Sequence, residues 1–485
     1  MHDDITSEES GEQQQQQQQL AVRRAEMEAI SDKAMVKKVF DLAWPATVEA
    51  ILQTTIRMIT SALLGHIPGY SALAISAAGL ADRVIHLTWG IFAAIGTGST
   101  VMVARSIGAG NREQANRFAS QALVLTAILF TVLAAVLLLF PDQLIHMLYN
   151  RDNKMDAELI VMANAYLRRI ALGVPFMAIN QVVSALMRGA GNTKVTLVTN
   201  TTANIVNAGL GYVLIYGRFG LPSMGLSGAG TASVISQGTG ALIALIIFFY
   251  VQKSIRVSRR WFRLKWAPVK DVFVIGVPHA FEMLLMQFGQ IALAGLIGSM
   301  GAVELAAHTQ GITAESISYM PAMGFGIAAT TLVGMSIGVG SVRLSQRYIR
   351  ILVKWNLIIT AFTASILIFM PRQVFSLISN NQEVIALGAT YLLIMGFCQF
   401  PQQLTGVLAG ALLGGGDSKA TLVNSLIGLW IVRIPLSYLF ARAFGWGIVS
   451  IWAAMAVDLV VRFILTITRY YKGKWKEAAY RISGA

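Results

Sequence analysis

Charged residues are scarce in this sequence. Only 13% of its 485 residues are Asp, Glu, Lys or Arg, whereas 55% are hydrophobic. Soluble domains carry about 25% charged residues, which they need to cover their surface. The composition therefore excludes an ordinary soluble protein and predicts an integral membrane protein that crosses the bilayer many times.

Cysteine is almost absent as well. Cys398 is the only one, and it lies inside an apolar segment. A disulfide framework and a cysteine-based zinc site are thereby excluded, and we interpret Cys398 as a small buried hydrophobe. The sequence has no Ser/His/Asp series, metal motif or carboxylate pair with enzymatic spacing, so we expect neither enzymatic activity nor a cofactor.

Acidic residues are outnumbered by basic ones, which gives a formal net charge of +14. The basic residues form short clusters between apolar runs, a distribution that argues against nucleic-acid binding. Counting alternate connecting segments, 27 basic residues fall on the side of the N-terminal tail and five on the other. The positive-inside rule then places both termini in the cytoplasm of a plasma-membrane (cell inner membrane) protein.

Long hydrophobic runs are what the sequence has in abundance. A membrane-spanning helix needs about 20 apolar residues, and twelve runs qualify. We therefore predict an all-α membrane protein with twelve transmembrane helices. The predicted spans are 40–64, 71–101, 118–140, 157–186, 195–216, 228–251, 271–298, 302–338, 349–370, 384–412, 420–441 and 447–468.

The polar segments divide the chain. Residues 1–36 are predicted to be a disordered polar tail, with seven consecutive glutamines, followed by an amphipathic cytoplasmic segment. The basic segment 253–270 separates two sets of six spans. The predicted lobes are an N-lobe over 37–252 and a C-lobe over 271–470, followed by a cytoplasmic tail over 471–485.

The two halves repeat each other in the same orientation. Pro45 and Glu49 recur as Pro278 and Glu282, 233 positions later. The stretch Gly189-Ala-Gly-Asn-Thr-Lys194 likewise corresponds to Gly414-Gly-Gly-Asp-Ser-Lys419 at an offset of 225. Six spans return the chain to its starting side, so these matches predict two six-helix lobes related by a parallel repeat.

Glu282 is the leading candidate for function. A carboxyl at bilayer depth costs about 2.5–3.5 kcal/mol on insertion scales, so such residues usually face a cavity and serve a function. We expect no basic side chain of its own helix beside it, and we expect it to take up and release a cation. Glu49 is a second candidate for cation coupling, although Arg57, two turns further on, could hold it as a fixed pair. Asp458 and Arg462 are expected to pair locally.

Polar and methionine side chains near Glu282 are predicted to line a substrate cavity. On the seventh and eighth spans these are Met286, Gln287, Gln290 and His308, and on the tenth span Gln402. Methionine is adaptable and suits ligands of varied shape, although such a stripe also serves for packing.

Several stretches together resemble the multidrug and toxic compound extrusion (MATE) transporters, over about residues 37–475. The resemblance implies two six-helix lobes around a V-shaped central cleft, which export drugs or other organic solutes in exchange for H⁺ or Na⁺. The stretches are Val103-Ala-Arg-Ser-Ile-Gly-Ala-Gly-Asn111, Leu186-Met-Arg-Gly-Ala-Gly-Asn-Thr-Lys194, Gly225-Leu-Ser-Gly-Ala-Gly230, Gly276-Val-Pro278, Leu305-Ala-Ala-His308, Thr331-Leu-Val-Gly334, Trp430-Ile-Val-Arg-Ile-Pro435 and Gly473-Lys-Trp475.

The chain departs from the family pattern in the N-lobe. Where the family often has acids on the first and fifth spans, this chain has Thr60 and Gly211, and of that cluster only Asn207 remains. We include Asn207, Gln53 and Arg57 among the residues expected to line the substrate cavity. In the C-lobe, some members of the family have an acid on the tenth span near the position that Gln402 occupies in this chain. Leu413 stands where an arginine is usual.

The predicted function is thus a secondary active antiporter that works by alternating access. Its partners would be the lipid bilayer and a small organic or amphipathic substrate, with H⁺ or Na⁺ as the coupling ion and no nucleic acid; we expect a monomer. Two alternatives stay open: a flippase for a lipid-linked intermediate in the same superfamily, and a membrane sensor that no longer transports.

Overall fold

The computed structural model describes residues 2–67, 71–148, 155–252, 255–256 and 263–477. Every regular element in these ranges is helical. The helices are α1 (His2–Glu28), α2 (Asp32–Gly65), α3 (Ser71–Gly108), α4 (Arg112–Leu139), α5 (Pro141–Leu148), α6 (Met155–Ala171), α7 (Val174–Gly189), α8 (Thr193–Tyr216), α9 (Gly225–Ile246), α10 (Trp266–Gly298), α11 (Ala302–Gly338), α12 (Val342–Phe369), α13 (Pro371–Ser376), α14 (Gln382–Gly414), α15 (Ser418–Leu426), α16 (Ile434–Tyr438) and α17 (Ile448–Tyr471). Short π-helical segments follow α9, α15 and α16, over Ile247–Val251, Ile427–Arg433 and Leu439–Ala443.

The described helices contain twelve membrane crossings, as the sequence predicted. Nine helical segments of the described chain are each long and apolar enough to span a bilayer. The pair α6 and α7, bent by 49° at a short break, supplies a tenth. The remaining two are α2 and α8, which carry more polar side chains. Pro175 lies at the start of α7, where its missing N–H costs no helical hydrogen bond, so the bend falls at this break.

The crossings form two lobes that meet along four helices. The first lobe comprises α2 to α9 and the second α10 to α17. Between the lobes, α10 packs against α3, and α11 packs against both α2 and α3. One apolar core lies mostly inside the first lobe and another lies inside the second, whereas a third joins α2 of the first lobe to α11, α12 and α14 of the second.

The lobes touch closely at the end of the molecule that carries the described termini. A Cβ added to Gly108 would overlap the carbonyl oxygen of Met335, and one added to Gly338 would overlap that of Arg105. Only glycine allows such an approach of two helix backbones. Gly108 and Gly338 are equivalent positions of the repeat, and so are Arg105 and Met335. The two contacts are therefore related by the repeat, and this end is closed symmetrically.

A cleft opens toward the other end, between α2 and α11. It has a volume of about 600 Å³. Thr54, Met58, Ser61 and Ala62 line one wall, and Ile312, Thr313, Ser316 and Tyr319 line the other. The arrangement is therefore open on one side and closed on the other.

The N-terminal segment differs from the disordered tail that the composition predicted. Residues 2–28 form helix α1, rich in Gln, Glu, Ala and Arg, which are good helix formers. Its last turns lie across both lobes at the closed end: Arg23 Nη2 donates to the Ile107 carbonyl oxygen over 2.9 Å, and the Ser341 hydroxyl donates to Glu28. Arg347 then donates to the carbonyl oxygen of Glu28 over 2.7 Å.

The boundary between the lobes also differs in detail. The predicted basic connection ran to residue 270, but α10 already begins at Trp266. Lys270 is thus on the first turns of the helix rather than in a loop. Residues 257–262 of this connection lie outside the described residues.

Candidate functional site

Glu282 lies one turn beyond Pro278 on α10, and its carboxylate meets three hydrogen-bonding groups. Ser425 Oγ is 2.6 Å from Oε1, and Thr421 Oγ1 is 2.9 Å from Oε2, both on α15. His279 Nδ1 is 3.1 Å from Oε2. The expectation that no basic residue of its own helix stands beside Glu282 is therefore wrong, because His279 precedes it by three positions, on the same helix face.

Glu282 borders a cavity of about 440 Å³ inside the second lobe. Its walls combine methionine and apolar side chains with a few polar ones, which is the usual character of a site for small organic molecules. The cavity shares the lining residues Ile312 and Tyr319 with the cleft between the lobes, so the two spaces are neighbours. Other lining residues are Met283, Met286, Gln290, Glu315, Tyr391, Met395, Gln402, Asn424, Ser425, Arg433 and Arg462.

A second carboxylate, Glu315 on α11, lies in the same wall and is almost fully buried. Tyr391 donates its hydroxyl hydrogen to Oε2 over 2.6 Å, and Gln399 Nε2 donates to Oε1 over 3.0 Å. Gln399 is itself held by Gln403 and Ser318. No sequence spacing reveals this site, because the partners of Glu315 lie on α14, more than 70 positions away.

Two arginines of the cavity share one acid. Arg433 and Arg462 both donate to Asp458 Oδ2 over 2.6 Å, and Asp458 is completely buried. The predicted local pair of Asp458 and Arg462 is confirmed, but Arg433 joins it from the neighbouring π-helical segment. The cluster therefore places a net positive charge behind the cavity wall.

The first lobe contains the equivalent carboxylate. Asn200 Nδ2 donates to Glu49 Oε1 over 2.6 Å, and Gln53 Nε2 lies 3.4 Å from the same oxygen. Arg188 interacts with Glu49 electrostatically. The positions match across the repeat, because Asn200 precedes Ser425 by 225 and Glu49 precedes Glu282 by 233. Each lobe thus holds one acid, on its first helix, against its fifth helix.

A smaller cavity of about 260 Å³ adjoins Glu49. Gln53 and Asn200 line it, together with Asp82 and Tyr166. Asn180, also in its wall, donates to Asn200 over 2.7 Å and so orients the amide that faces Glu49. The sequence carries no functional signal for Asp82, and Asp82 and Arg83 are each expected to find a partner on another helix.

The structure separates the predicted cavity residues into groups. Met286, Gln290 and Gln402 line the second-lobe cavity, and Gln53 lines the first-lobe cavity. The others have different surroundings. Gln287 is exposed outside either cavity, His308 is buried and accepts a hydrogen bond from Trp452, and Asn207 contacts Thr60 and Ser236. The side chain of Arg57, including its predicted pairing with Glu49, lies outside the described residues.

Two lobes of six crossings, each with an acid on its first helix held against its fifth helix, meet at a one-sided cleft and define a multi-pass membrane transporter. A family model described as MatE matches residues 45–213 and 278–439. The chain belongs to this family, the MATE transporters.

Individual relatives agree with this assignment. The chain is 31% identical over 445 residues to the "Probable multidrug resistance protein NorM" of Thermotoga maritima, across 91% of this chain and 94% of that protein. It is 25% identical over 414 residues to the "Multidrug resistance protein PmpM" of Pseudomonas aeruginosa, across 84% of each. A solved structure described as the outward-facing conformation of a multidrug resistance MATE family transporter superposes with a TM-score of 0.82 at 19% identity, over 93% of this chain and 96% of that one.

Proposed function

We propose that this protein is a secondary active antiporter that exports drugs or other organic solutes in exchange for H⁺ or Na⁺. The multidrug resistance names of its relatives support the cargo class. Glu282 supports the coupling role, since it is a carboxyl on a membrane-spanning helix that borders the solute cavity. Cation and solute then meet in one space, which lets the occupancy of one change the affinity for the other.

The exchange would follow from the one-sided opening. With the end near the termini closed, the cleft and the second-lobe cavity open only to the opposite side. A bound cation drives the change to the other state only through its different affinity for the two states. We propose that cation binding at Glu282 favours release of the solute outward, and that the return step exposes the site to the cytoplasm.

The setting of the protein is part of the proposal. The excess of basic residues in alternate connections supports cytoplasmic termini in the cell inner membrane. Both lobes and both cavities belong to one chain, which supports action as a monomer. The partners are then the bilayer and a small organic or amphipathic solute.

The test is transport by reconstituted protein. Ethidium efflux is measured in vesicles under an imposed pH gradient and, separately, a Na⁺ gradient, for the unaltered protein and for Glu282→Gln. We expect the variant to lose gradient-driven efflux by more than about tenfold. Full efflux in a folded Glu282→Gln protein would refute the coupling role. Movement of a labelled lipid-linked sugar in place of ethidium would favour a flippase.

A further inference from the structure

His279 is the only basic side chain that the described contacts place against Glu282. The two residues are three positions apart on α10, and their side chains are only 13% and 14% exposed. At 3.1 Å, Nδ1 and Oε2 share one hydrogen. Imidazole nitrogen either donates or accepts, so this contact persists whether or not the carboxyl is protonated.

The hydroxyl on the other side of the carboxylate has the same freedom. Thr421 Oγ1 lies 2.9 Å from Glu282 Oε2 and also 2.9 Å from the carbonyl oxygen of Ser418. A hydroxyl has one hydrogen, so Thr421 donates to one of these oxygens at a time. When Glu282 is ionised, Thr421 donates to it. When Glu282 is protonated, Thr421 turns its hydrogen to Ser418 and accepts from the carboxyl.

The equivalent acid in the first lobe is held differently. The position that matches His279 is Ala46, and the position that matches Leu413 is Arg188, which interacts electrostatically with Glu49. Asn200 donates to Glu49 while its own oxygen accepts from Asn180. Glu49 therefore faces an amide and a fixed cation, whereas Glu282 faces an imidazole, whose Nδ1 either donates or accepts a hydrogen.

Other titratable groups near the second-lobe cavity are engaged elsewhere. From α11 and α14, Glu315 and Tyr391 bond to each other. Arg433 and Arg462 are both bound to Asp458. The residues of α15 that meet Glu282 are hydroxyls, and those of α3 that meet α10 most closely include Gly90 and Ala94, which do not titrate.

We propose that His279 and Glu282 form one proton-binding pair, and that the cation exchanged at this site is a proton. The inference rests on the antiport function proposed above. His279 is a positioning residue that holds the carboxylate and its proton, and Thr421 reorients as the proton arrives. His279 Nδ1 and the Thr421 hydroxyl can each accept a hydrogen as well as donate one, so both can bind a protonated carboxyl. A metal cation instead requires several oxygen lone pairs that converge on it, and an imidazole supplies none of these.

The test has two parts, both with ethidium as the probe. In vesicles, a pH gradient alone is compared with a Na⁺ gradient alone at equal pH, using the unaltered protein. In weakly buffered detergent solution, the protons released on adding ethidium are measured with a pH dye between pH 5 and 9. The variants are His279→Gln, Glu282→Gln and, as a matched control, His66→Gln at the exposed end of α2.

We expect the pH gradient to drive efflux and the Na⁺ gradient to leave it at the level of protein-free vesicles. Proton release should vanish in Glu282→Gln and stay unchanged in His66→Gln. In His279→Gln the pH of half-maximal release should rise by about one unit, because the carboxylate loses a neighbour that can carry positive charge. If His279 had a purely structural role, His279→Gln would reduce the amount of proton released but would leave the pH of half-maximal release unchanged.

Two results would contradict the proposal that His279 and Glu282 form a proton-binding pair. Efflux driven by Na⁺ alone would show that a metal cation is exchanged, and an unchanged midpoint in a folded His279→Gln would remove His279 from proton binding. Both leave antiport through Glu282 intact. Only full gradient-driven efflux in a folded Glu282→Gln protein would contradict the proposed function itself. The comparison of gradients uses the unaltered protein and therefore stands even where His279→Gln does not fold.

Discussion

Gly276 on α10 lies directly against the carbonyl oxygen of Ala94 on α3, so that a Cβ at this glycine would overlap it. The same contact recurs at the equivalent positions, where Gly324 on α11 lies against Ala43 on α2. These two contacts join the lobes across the membrane interior. In the alternating-access cycle proposed above, the lobes separate here, and the packing at Gly276 then contributes to the balance between the two states.

The first prediction concerns Gly276→Ala. The added methyl group has no space, and overpacking of this kind costs about 1–3 kcal/mol. We expect the free energy of unfolding in mixed micelles to fall by that amount. Gly295→Ala on the same helix is the control, since no atom stands within 4 Å of its Cβ. Equal stability of the two variants would contradict the close approach of α10 and α3.

The second prediction concerns the shared acid of the second lobe. Asp458→Asn keeps the shape of the side chain but leaves Arg433 and Arg462 without a counter-charge. Removing one partner of a buried ionic group costs about 3–5 kcal/mol. Unfolding measured by circular dichroism in detergent should show this loss.

The matched control for Asp458→Asn is Asp32→Asn at the closed end. Asp32 pairs with Arg347 over 2.7 Å, but its side chain is 79% exposed. Such pairs contribute less than about 1 kcal/mol. If both variants lose the same stability, the Asp458 cluster is not buried as the structure shows.

The third prediction separates the two equivalent acids. Because Glu49 lies beside a fixed cation, Glu49→Gln should leave gradient-driven ethidium efflux within about threefold of the unaltered protein, while Glu282→Gln loses it. Glu49→Gln should also lower stability by about 1–3 kcal/mol, since Arg188 is left without its counter-charge. Loss of coupling in Glu49→Gln, with normal stability, would instead make Glu49 a coupling residue.

The fourth prediction concerns the N-terminal segment at the closed end. The hydrogen bond from Ser341, followed by that from Arg24, lowers the pKa of Glu28 below its ordinary value of 4.5. A lowered folded-state pKa contributes stability that is present above pH 4.5 and is lost as the pH falls through the lowered value. The protection of residues 24–32 against hydrogen exchange, measured relative to the intrinsic exchange rate at each pH, should therefore fall below pH 4.5.

Two variants check the origin of that acid effect. Glu28→Gln should make the protection factors of residues 24–32 independent of pH between about 3 and 6. Arg347→Ala should speed exchange at neutral pH, because Arg347 donates to the Glu28 carbonyl oxygen and to Asp32. Arg350→Ala, at an exposed position of the same helix, is the control. If protection against exchange were unchanged in all three variants, residues 24–32 would not be docked against the closed end of the two lobes.

The sequence by itself determined the membrane class, the twelve crossings and the repeat. Apolar runs of bilayer length leave the backbone no alternative to a helix, because its polar groups must bond internally in lipid. The recurrence of Pro45 and Glu49 as Pro278 and Glu282 indicated two lobes, and it directed attention to the carboxylate that borders the cavity. These are local or periodic signals, and they survive without tertiary information.

Only the tertiary structure decided which side chains meet. The neighbours of Glu282 on α15 lie more than 130 positions away, and those of Glu315 lie on α14, so neither set has a spacing to recognise. The nearby His279 was missed although it precedes Glu282 by three positions and therefore lies on the same face of α10. Contacts between helices depend on how each helix is rotated about its axis and how deep it lies in the membrane. An apolar sequence does not specify either quantity, and packing between the lobes determines both.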